Sequence, residues 1–265
     1  MIIFGIPVFA DVSTLDVALL AGLYFLSFAV KGMFGLGAMP PLVIFGAWIL
    51  EPHHAVVLAV VSNVFSQLQF IPEGVRNGDW RSVKGLILAY LPATILGVWI
   101  FGWLETAWLT VVLGVTLVAV LLAEWFSLFQ RYETTIQQRA SVLGPVLAAV
   151  SGVLAGVAGA GGVIMVSTYI KFIVKDPRAF RATIILIATF FIGWRTVVFA
   201  ANGFVSIPIF TECLVLLPIS LVGGYVGSLL FGRIPKERFF PAFRIALLLA
   251  SVNLVVKGAM TALGG

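Results

Sequence analysis

Charge is the scarcest property of this sequence. Only 10% of its 265 residues are Asp, Glu, Lys or Arg, whereas 61% are apolar. A soluble domain carries about 25% charged and roughly 45–50% apolar residues. The composition therefore excludes soluble enzymes and nucleic-acid-binding proteins. The net charge of +5 indicates basic cytoplasmic loops rather than a nucleic-acid partner.

Cysteine and histidine are also scarce. The single cysteine, Cys213, excludes an intrachain disulfide, and the adjacent His53 and His54 leave no Cys/His cluster for a structural metal. The sequence predicts neither a metal site nor a cofactor. The residues before Ser13 lack the basic start of a signal peptide and are expected to form a short extension.

Long apolar runs, by contrast, are abundant. A helix needs about 20 mostly apolar residues to cross a bilayer. Six such runs are clear: His54–Ile71, Leu86–Leu104, Ala107–Leu128, Arg181–Ala201, Glu212–Phe231 and Phe239–Met260. Between them we expect loops at Glu73–Lys84, Glu105, Gln130–Arg139, Lys175–Arg178, Asn202–Ile207 and Gly232–Arg238.

Two further apolar regions are too long for one straight helix. Residues 17–50 contain one charge, Lys31, and the 31 residues from 140 to 170 contain none. At about 1.5 Å per residue the second region would extend roughly 46 Å, whereas the hydrocarbon core is about 30 Å thick. Each region must therefore bend.

Two glycine motifs predict where the bends lie. The pattern G-x-x-G-x-G occurs at Gly32–Gly37 and again at Gly156–Gly161, 124 residues later. Glycine disfavours helix, and Pro40 and Pro41 suit the first turn of a new helix. We expect a broken helix in each region.

The chain after the two motifs also repeats. Matching pairs follow at offsets of 125 or 126 residues: Glu51-Pro52 with Asp176-Pro177, Asn77-Gly78 with Asn202-Gly203, and Leu91-Pro92 with Leu217-Pro218. This pattern predicts a first membrane repeat at 1–129, a cytoplasmic linker at 130–139 and a second membrane repeat at 140–265.

Basic residues occupy opposite loops in the two repeats. The loop with Arg76, Arg81 and Lys84 has no basic counterpart around residue 202, whereas the counterpart of the Glu105 loop contains Arg233, Lys236 and Arg238. Basic loops face the cytoplasm, so the repeats are expected to be inverted. The predicted fold is an all-α integral membrane protein of two inverted repeats. Each has about five membrane elements and opens with a broken or re-entrant helix, and both termini lie outside.

Inverted repeats with discontinuous helices are typical of secondary transporters. After the breaks, new helices begin near Pro40 and Val163. Their free N–H groups and positive dipole ends are expected to face each other near mid-membrane, an arrangement that favours an anion.

Over nearly its whole length the chain resembles the TauE/SafE family of sulfite exporters and toluene sulfonate uptake permeases. Members carry G-x-G-G-G followed by proline. The copies here are Gly35-Leu36-Gly37-Ala38-Met39-Pro40 and Gly159-Ala160-Gly161-Gly162-Val163. The resemblance implies transport of sulfite, a sulfonate or a related organosulfur acid across a bacterial inner membrane. From the inverted repeats we expect this transport to work by alternating access.

Polar groups and glycines within the apolar regions are the candidate substrate-binding residues. They are Lys31, Gly35, Gly37, Pro40, Asn63, Gln67, Gly159, Gly161, Gly162, Thr189, Arg195 and Asn253. Lys31 and Arg195 can neutralise an oxyanion or extend to the lipid headgroups. The amides and Thr189 can contact substrate or hydrogen-bond between helices.

Two other classes of function stay as alternatives. A cation or metal transporter needs carboxylates or thiols within its spans, and a membrane enzyme needs a nucleophile–base pair or metal ligands there. The spans show neither. Few acids are available for proton coupling, although His53 and His54 can titrate at the outer mouth, so uncoupled diffusion stays open. The expected partners are a small anion and membrane lipid, and a homo-oligomer is an open alternative.

Overall fold

The computed structural model describes residues 2–3, 6–10, 12–34, 37–126, 139–160, 162–230 and 236–264. Two short paired strands, β1 (Ile2–Ile3) and β2 (Ile6–Pro7), precede the helices. The helices are α1 (Thr14–Phe34), α2 (Met39–Ile49), α3 (Pro52–Gln67), α4 (Ile71–Asn77), α5 (Trp80–Trp103), α6 (Thr106–Trp125), α7 (Ala140–Ala158), α8 (Gly162–Ile173), α9 (Pro177–Ala201), α10 (Ile207–Leu229) and α11 (Lys236–Gly264).

Eight helical stretches in the described residues are long and apolar enough to cross a membrane. They are Thr14–Met33, Pro52–Asn77, Trp80–Trp103, Thr106–Ala123, Ala140–Ala158, Pro177–Ala201, Ile207–Leu229 and Phe243–Leu263. The short apolar helix α2 is additional to these. The predicted all-α membrane architecture is confirmed.

The predicted loop at Glu73–Lys84 is wrong. A 3₁₀ turn at Leu68–Phe70 joins α3 to α4, and α5 already begins at Trp80. The Asp79 side chain caps α5 by accepting from the amides of Arg81 and Ser82. Charged residues mark where the helices leave the apolar layer, not where the helices end. The predicted linker 130–139 lies almost wholly outside the described residues.

Both predicted helix breaks are present. α1 ends at Phe34 and α2 begins at Met39, while α7 ends at Ala158 and α8 begins at Gly162. Gly37 and Gly159 have φ of 104° and 67° within the breaks. Residues with a Cβ rarely adopt this left-handed conformation, which explains the glycine at each position.

One end of the bundle, which we call the histidine end, gathers Glu51, His53, His54, Thr106 and Glu212. Thr106 Oγ1 donates to Glu51 Oε1 at 2.9 Å, and His54 bonds the Glu212 carboxylate. The Phe9 amide donates to the same carboxylate at 2.9 Å, so the start of the chain lies here too.

The ionisation of Glu51 reflects these contacts. Burial raises the pKa of this carboxyl group, but bonds from the His53 ring, the His54 amide and the Thr106 hydroxyl outweigh burial and lower the pKa to about 2. Glu51 is therefore a charged anchor between α2, α3 and α6 at ordinary pH.

The opposite end, which we call the arginine end, joins α4, α5 and α9. Arg181 Nε lies 3.2 Å from Glu73 Oε1, and the Asp79 amide donates to Thr183 Oγ1 at 3.0 Å. α3 therefore starts at the histidine end, whereas α9, its counterpart in the predicted repeat, starts at the arginine end. The loop after α9 returns to the histidine end, because Phe204 contacts Phe101, which packs on His53.

In each broken helix pair, the start of the first helix and the end of the second helix lie at the same end of the bundle. The Tyr169 hydroxyl near the end of α8 donates to the Ala140 carbonyl at the start of α7, at 2.9 Å. Likewise, α1 follows Phe9, and α2 leads to Glu51, both at the histidine end. The α1–α2 pair therefore begins and ends at the histidine end, and the α7–α8 pair begins and ends at the other end of the bundle.

Close helix packing exchanges partners between the predicted repeats: α1 packs on α10, α5 on α7, and α6 on α11. Glycines permit the contact. A Cβ on Gly156 would lie 2.7 Å from backbone atoms of Gly97 and Val98, and one on Gly32 would overlap the Gly224 carbonyl. Small residues allow such backbone approach in membranes.

We predict that Gly156→Ala lowers the thermal stability of the detergent-solubilised protein. The added methyl group would meet backbone that no side-chain motion can clear, a strain of about 1–3 kcal/mol. Gly193→Ala is the control, since a Cβ there has nothing within 4 Å. Equal melting temperatures for the two variants would contradict the packing.

We predict opposite labelling of Asn77→Cys and Asn202→Cys by an impermeant thiol reagent, in a Cys213→Ser background. Both positions are exposed, and they lie at the arginine and histidine ends. Reaction from the same side of sealed vesicles would contradict this arrangement.

Candidate functional site

A cavity of about 60 Å³ lies where the two helix breaks meet. Asn63 and Ala188, which line it, lie near the midpoints of the spans Pro52–Asn77 and Pro177–Ala201. A Cβ on Gly159 would lie 3.1 Å from Val56 and 3.5 Å from Met39, so the second break packs directly on α2 and α3. Elements from both ends of the molecule therefore line the cavity.

Lys31 supplies one cation to this cavity. The residue is 4% exposed, and its Nζ donates to Asn63 Oδ1 at 2.6 Å and to Ser66 Oγ at 2.8 Å. The rings of Phe28 and Phe70 lie 5.7 and 5.9 Å from Nζ. These partners are all neutral, so they orient the ammonium group without cancelling its charge.

Arg195 supplies the second cation. It is also 4% exposed, and Nη1 donates to the Gly159 carbonyl in the second break. Its Nε and Nη2 have no hydrogen-bond partner in the structure. A buried guanidinium group normally has its donors satisfied. Two donors of Arg195 are therefore available to a ligand.

The starts of α2 and α8 reach the cavity, but they offer unequal numbers of amides. Ala38, Met39 and Pro40 line it from α2, and Gly162 and Val163 from α8. Pro40 and Pro41 have no N–H, and the Leu42 amide already bonds the Ala38 carbonyl at 3.3 Å. The two helix starts were expected to be equivalent, but the start of α8 offers more free backbone N–H groups to the cavity than the start of α2.

The remaining polar contacts hold the wall in place. Gln67 Nε2 donates to Thr189 Oγ1 at 3.1 Å, which links α3 to α9 beside the cavity. Thr189 also donates to the Ile185 carbonyl at 2.8 Å. Tyr90 and Phe191 stack with centroids 3.5 Å apart and ring planes 7° apart, forming an aromatic wall.

The structure brings most of the predicted site residues together. Those lining the cavity are Lys31, Gly37, Pro40, Asn63, Gln67, Gly159, Gly162 and Arg195. Thr189 lies behind the wall through Gln67, whereas Asn253 is exposed on α11 and not among the lining residues. Gly35 and Gly161 lie outside the described residues.

Sequence reasoning missed several apolar wall residues: Tyr90, Ala155, Ala160, Ala188, Phe191 and Ile192. The repeat contained a signal for three of them. Ala155, Ala188 and Ile192 follow Lys31, Asn63 and Gln67 by 124 or 125 residues. Applying the repeat offset to each polar candidate would have identified the facing wall.

The described lining residues include two cations and no Asp or Glu. Coulomb attraction in a poorly solvated site favours an anion there and opposes a cation. The described residues also contain no cluster of three His, Cys, Asp or Glu able to hold a metal ion.

Eight apolar helical stretches in the described residues and two broken helix pairs around one cavity define a multi-pass membrane protein. The family model "Sulfite exporter TauE/SafE" matches residues 18–254, nearly the whole chain. The chain belongs to this family. No curated protein and no solved structure matches it significantly.

We predict that Arg195→Met raises the melting temperature of the ligand-free protein. A buried cation with unsatisfied donors destabilises the fold, and an apolar residue of similar length removes that cost. Thermal unfolding in detergent measures the change. If the variant melts well below the wild type, Arg195 is instead a structural tie to Gly159.

Proposed function

We propose that the protein moves a small sulfur oxyanion, with sulfite as the best-fitting cargo, through the cavity between the helix breaks. Membership of the TauE/SafE family supports a membrane transporter of sulfur anions. The observation that carries the proposal is the pair of buried cations, Lys31 and Arg195, on one cavity without a lining carboxylate. The proposed location is a bacterial inner membrane.

Cavity size favours a compact anion. A volume of about 60 Å³ corresponds to roughly four water molecules at about 15 Å³ each. Sulfite, with one sulfur and three oxygens, matches that space, whereas a sulfonate with a long organic group requires the cavity to widen. Lys31 and the free donors of Arg195 bind the oxygens, assisted by the start of α8.

The proposed mechanism is alternating access between inverted repeats, 1–129 and 140–265. The opposite starting ends of α3 and α9 support inversion, as do the re-entrant pairs α1–α2 and α7–α8. Rocking of one repeat against the other opens the cavity to one face at a time. We place the histidine end outside, because the basic loops lie at the arginine end.

We predict that Lys31→Ala and Arg195→Ala each slow sulfite uptake into proteoliposomes at least about ten-fold. A hydrogen bond to a charged group contributes about 1.5–3 kcal/mol, and 1.4 kcal/mol is a ten-fold change. Uptake of radiolabelled sulfite measures the effect, and a radiolabelled divalent cation tests the competing class of cargo.

The matched control is Lys257→Ala, which removes the same side chain from an exposed site on α11. Its uptake should equal that of the wild type. Normal transport by both cavity variants would refute this site, and preferential uptake of the divalent cation would refute the anion proposal.

A further inference from the structure

Three side chains in the described part of the chain hold buried polar atoms with no hydrogen-bond partner: Ser27, Ser151 and Arg195. Arg195 lines the cavity, whereas the two serines lie outside its lining. Both serines are at most 1% exposed. Burying a hydroxyl group without a partner costs free energy, so this pair requires an explanation.

The two serines are equivalent positions in the predicted repeat. Ser151 follows Ser27 by 124 residues, the spacing of the glycine motifs. Each lies one helical turn before a residue of the cavity wall: Ser27 before Lys31 in α1, and Ser151 before Ala155 in α7. Residues four apart share a helix face, so each serine extends a face that lines the cavity.

The other buried serines in the described ranges do not share this feature. Ser220 donates to the Leu216 carbonyl at 2.8 Å, and Ser251 donates to the Leu247 carbonyl at 2.7 Å. Bonding to the carbonyl four residues earlier is the usual way for a helical serine to be satisfied. Ser27 and Ser151 lack that bond, which leaves both hydroxyl groups available.

The serines lie on opposite sides of the cavity. α1 runs from the histidine end, so Ser27 lies between that end and Lys31. α7 runs beside α5 from the arginine end, because Pro145 lies near Gly85 and Gly156 near Gly97. Ser151 therefore lies between the arginine end and Ala155.

We propose that Ser27 and Ser151 are hydroxyl contacts for the oxyanion on its two routes, one toward each face of the membrane. Alternating access requires such a pair of routes, and inverted repeats place equivalent residues on opposite routes. When a route opens, water or the cargo supplies the missing partner. The identity of the cargo rests on the proposed function; the sidedness of the two serines does not.

Single cysteines test the sidedness directly. Ser27→Cys and Ser151→Cys, each in a Cys213→Ser background, are exposed to sulfonatoethyl methanethiosulfonate in right-side-out and inverted vesicles. This reagent is anionic and impermeant. Ser27→Cys should react from the same side as Asn202→Cys, and Ser151→Cys from the same side as Asn77→Cys.

Ser251→Cys is the matched control and should stay unlabelled from both sides. Labelling of both test cysteines from one side, or of neither in vesicles that still transport, would overturn the inference. Because the reaction does not depend on the natural cargo, these outcomes are distinct from normal sulfite uptake by the Lys31 and Arg195 variants, which would refute the proposed function alone.

Alanine variants give a second readout if a cysteine variant does not fold. Ser27→Ala and Ser151→Ala should each slow uptake about ten-fold, the loss expected for one hydrogen bond to a charged group. Ser220→Ala, whose hydroxyl is already satisfied within its helix, should transport normally. Unchanged uptake by both route variants would also overturn the inference.

Discussion

Two buried cations facing one cavity are the constraint on which the rest of the structure depends. Lys31 is held by the neutral oxygens of Asn63 and Ser66, and Arg195 by one carbonyl, that of Gly159. Charges at this depth are expensive in a membrane protein unless they are paired. No carboxylate among the described lining residues pairs with either cation, so an arriving anion meets two charges that are not already neutralised. The cost to the empty protein and the attraction for the ligand have the same physical origin.

The helix breaks make room for this site, and Arg195 connects the two features. Irregular backbone within the bilayer must be enclosed by protein. The break at Gly159 meets that requirement because it packs on Val56 and Met39 and because its carbonyl oxygen accepts a hydrogen bond from Arg195 Nη1. The same guanidinium group keeps Nε and Nη2 free. Any movement of this break therefore also moves the free donors of Arg195, and at the proposed site this would couple backbone rearrangement to anion binding.

Two kinds of feature could be predicted from the sequence: those that follow from the length of an apolar run, and those marked by residue types that are rare in the spans. A charge-free run of 31 residues cannot cross straight, so a bend follows from its length, and the glycine motif locates that bend near Gly159. Lys31 and Arg195 stand out because charges are scarce in the spans. Hydropathy does not show which face of a helix points toward the protein interior. The sequence therefore did not distinguish exposed Asn253 from buried Asn63, and it did not single out Tyr90 and Phe191 from the other apolar residues. Those details depend on helix rotation, which only packing against neighbours fixes.

The cavity has a nearly symmetric frame but asymmetric chemistry. Lys31, Asn63 and Gln67 on α1 and α3 line the same cavity as Ala155, Ala188 and Ile192, their apolar counterparts in the predicted repeat. Arg195 alone brings charge from the second predicted repeat. The two cations therefore belong to different repeats, and without a ligand they repel each other across the cavity. In the proposed mechanism, an anion between them would reverse the sign of that interaction and draw the two predicted repeats together. A ligand shifts a conformational equilibrium only if it binds one conformation better than the other. Alternating access therefore requires that the bound anion stabilise the closed state.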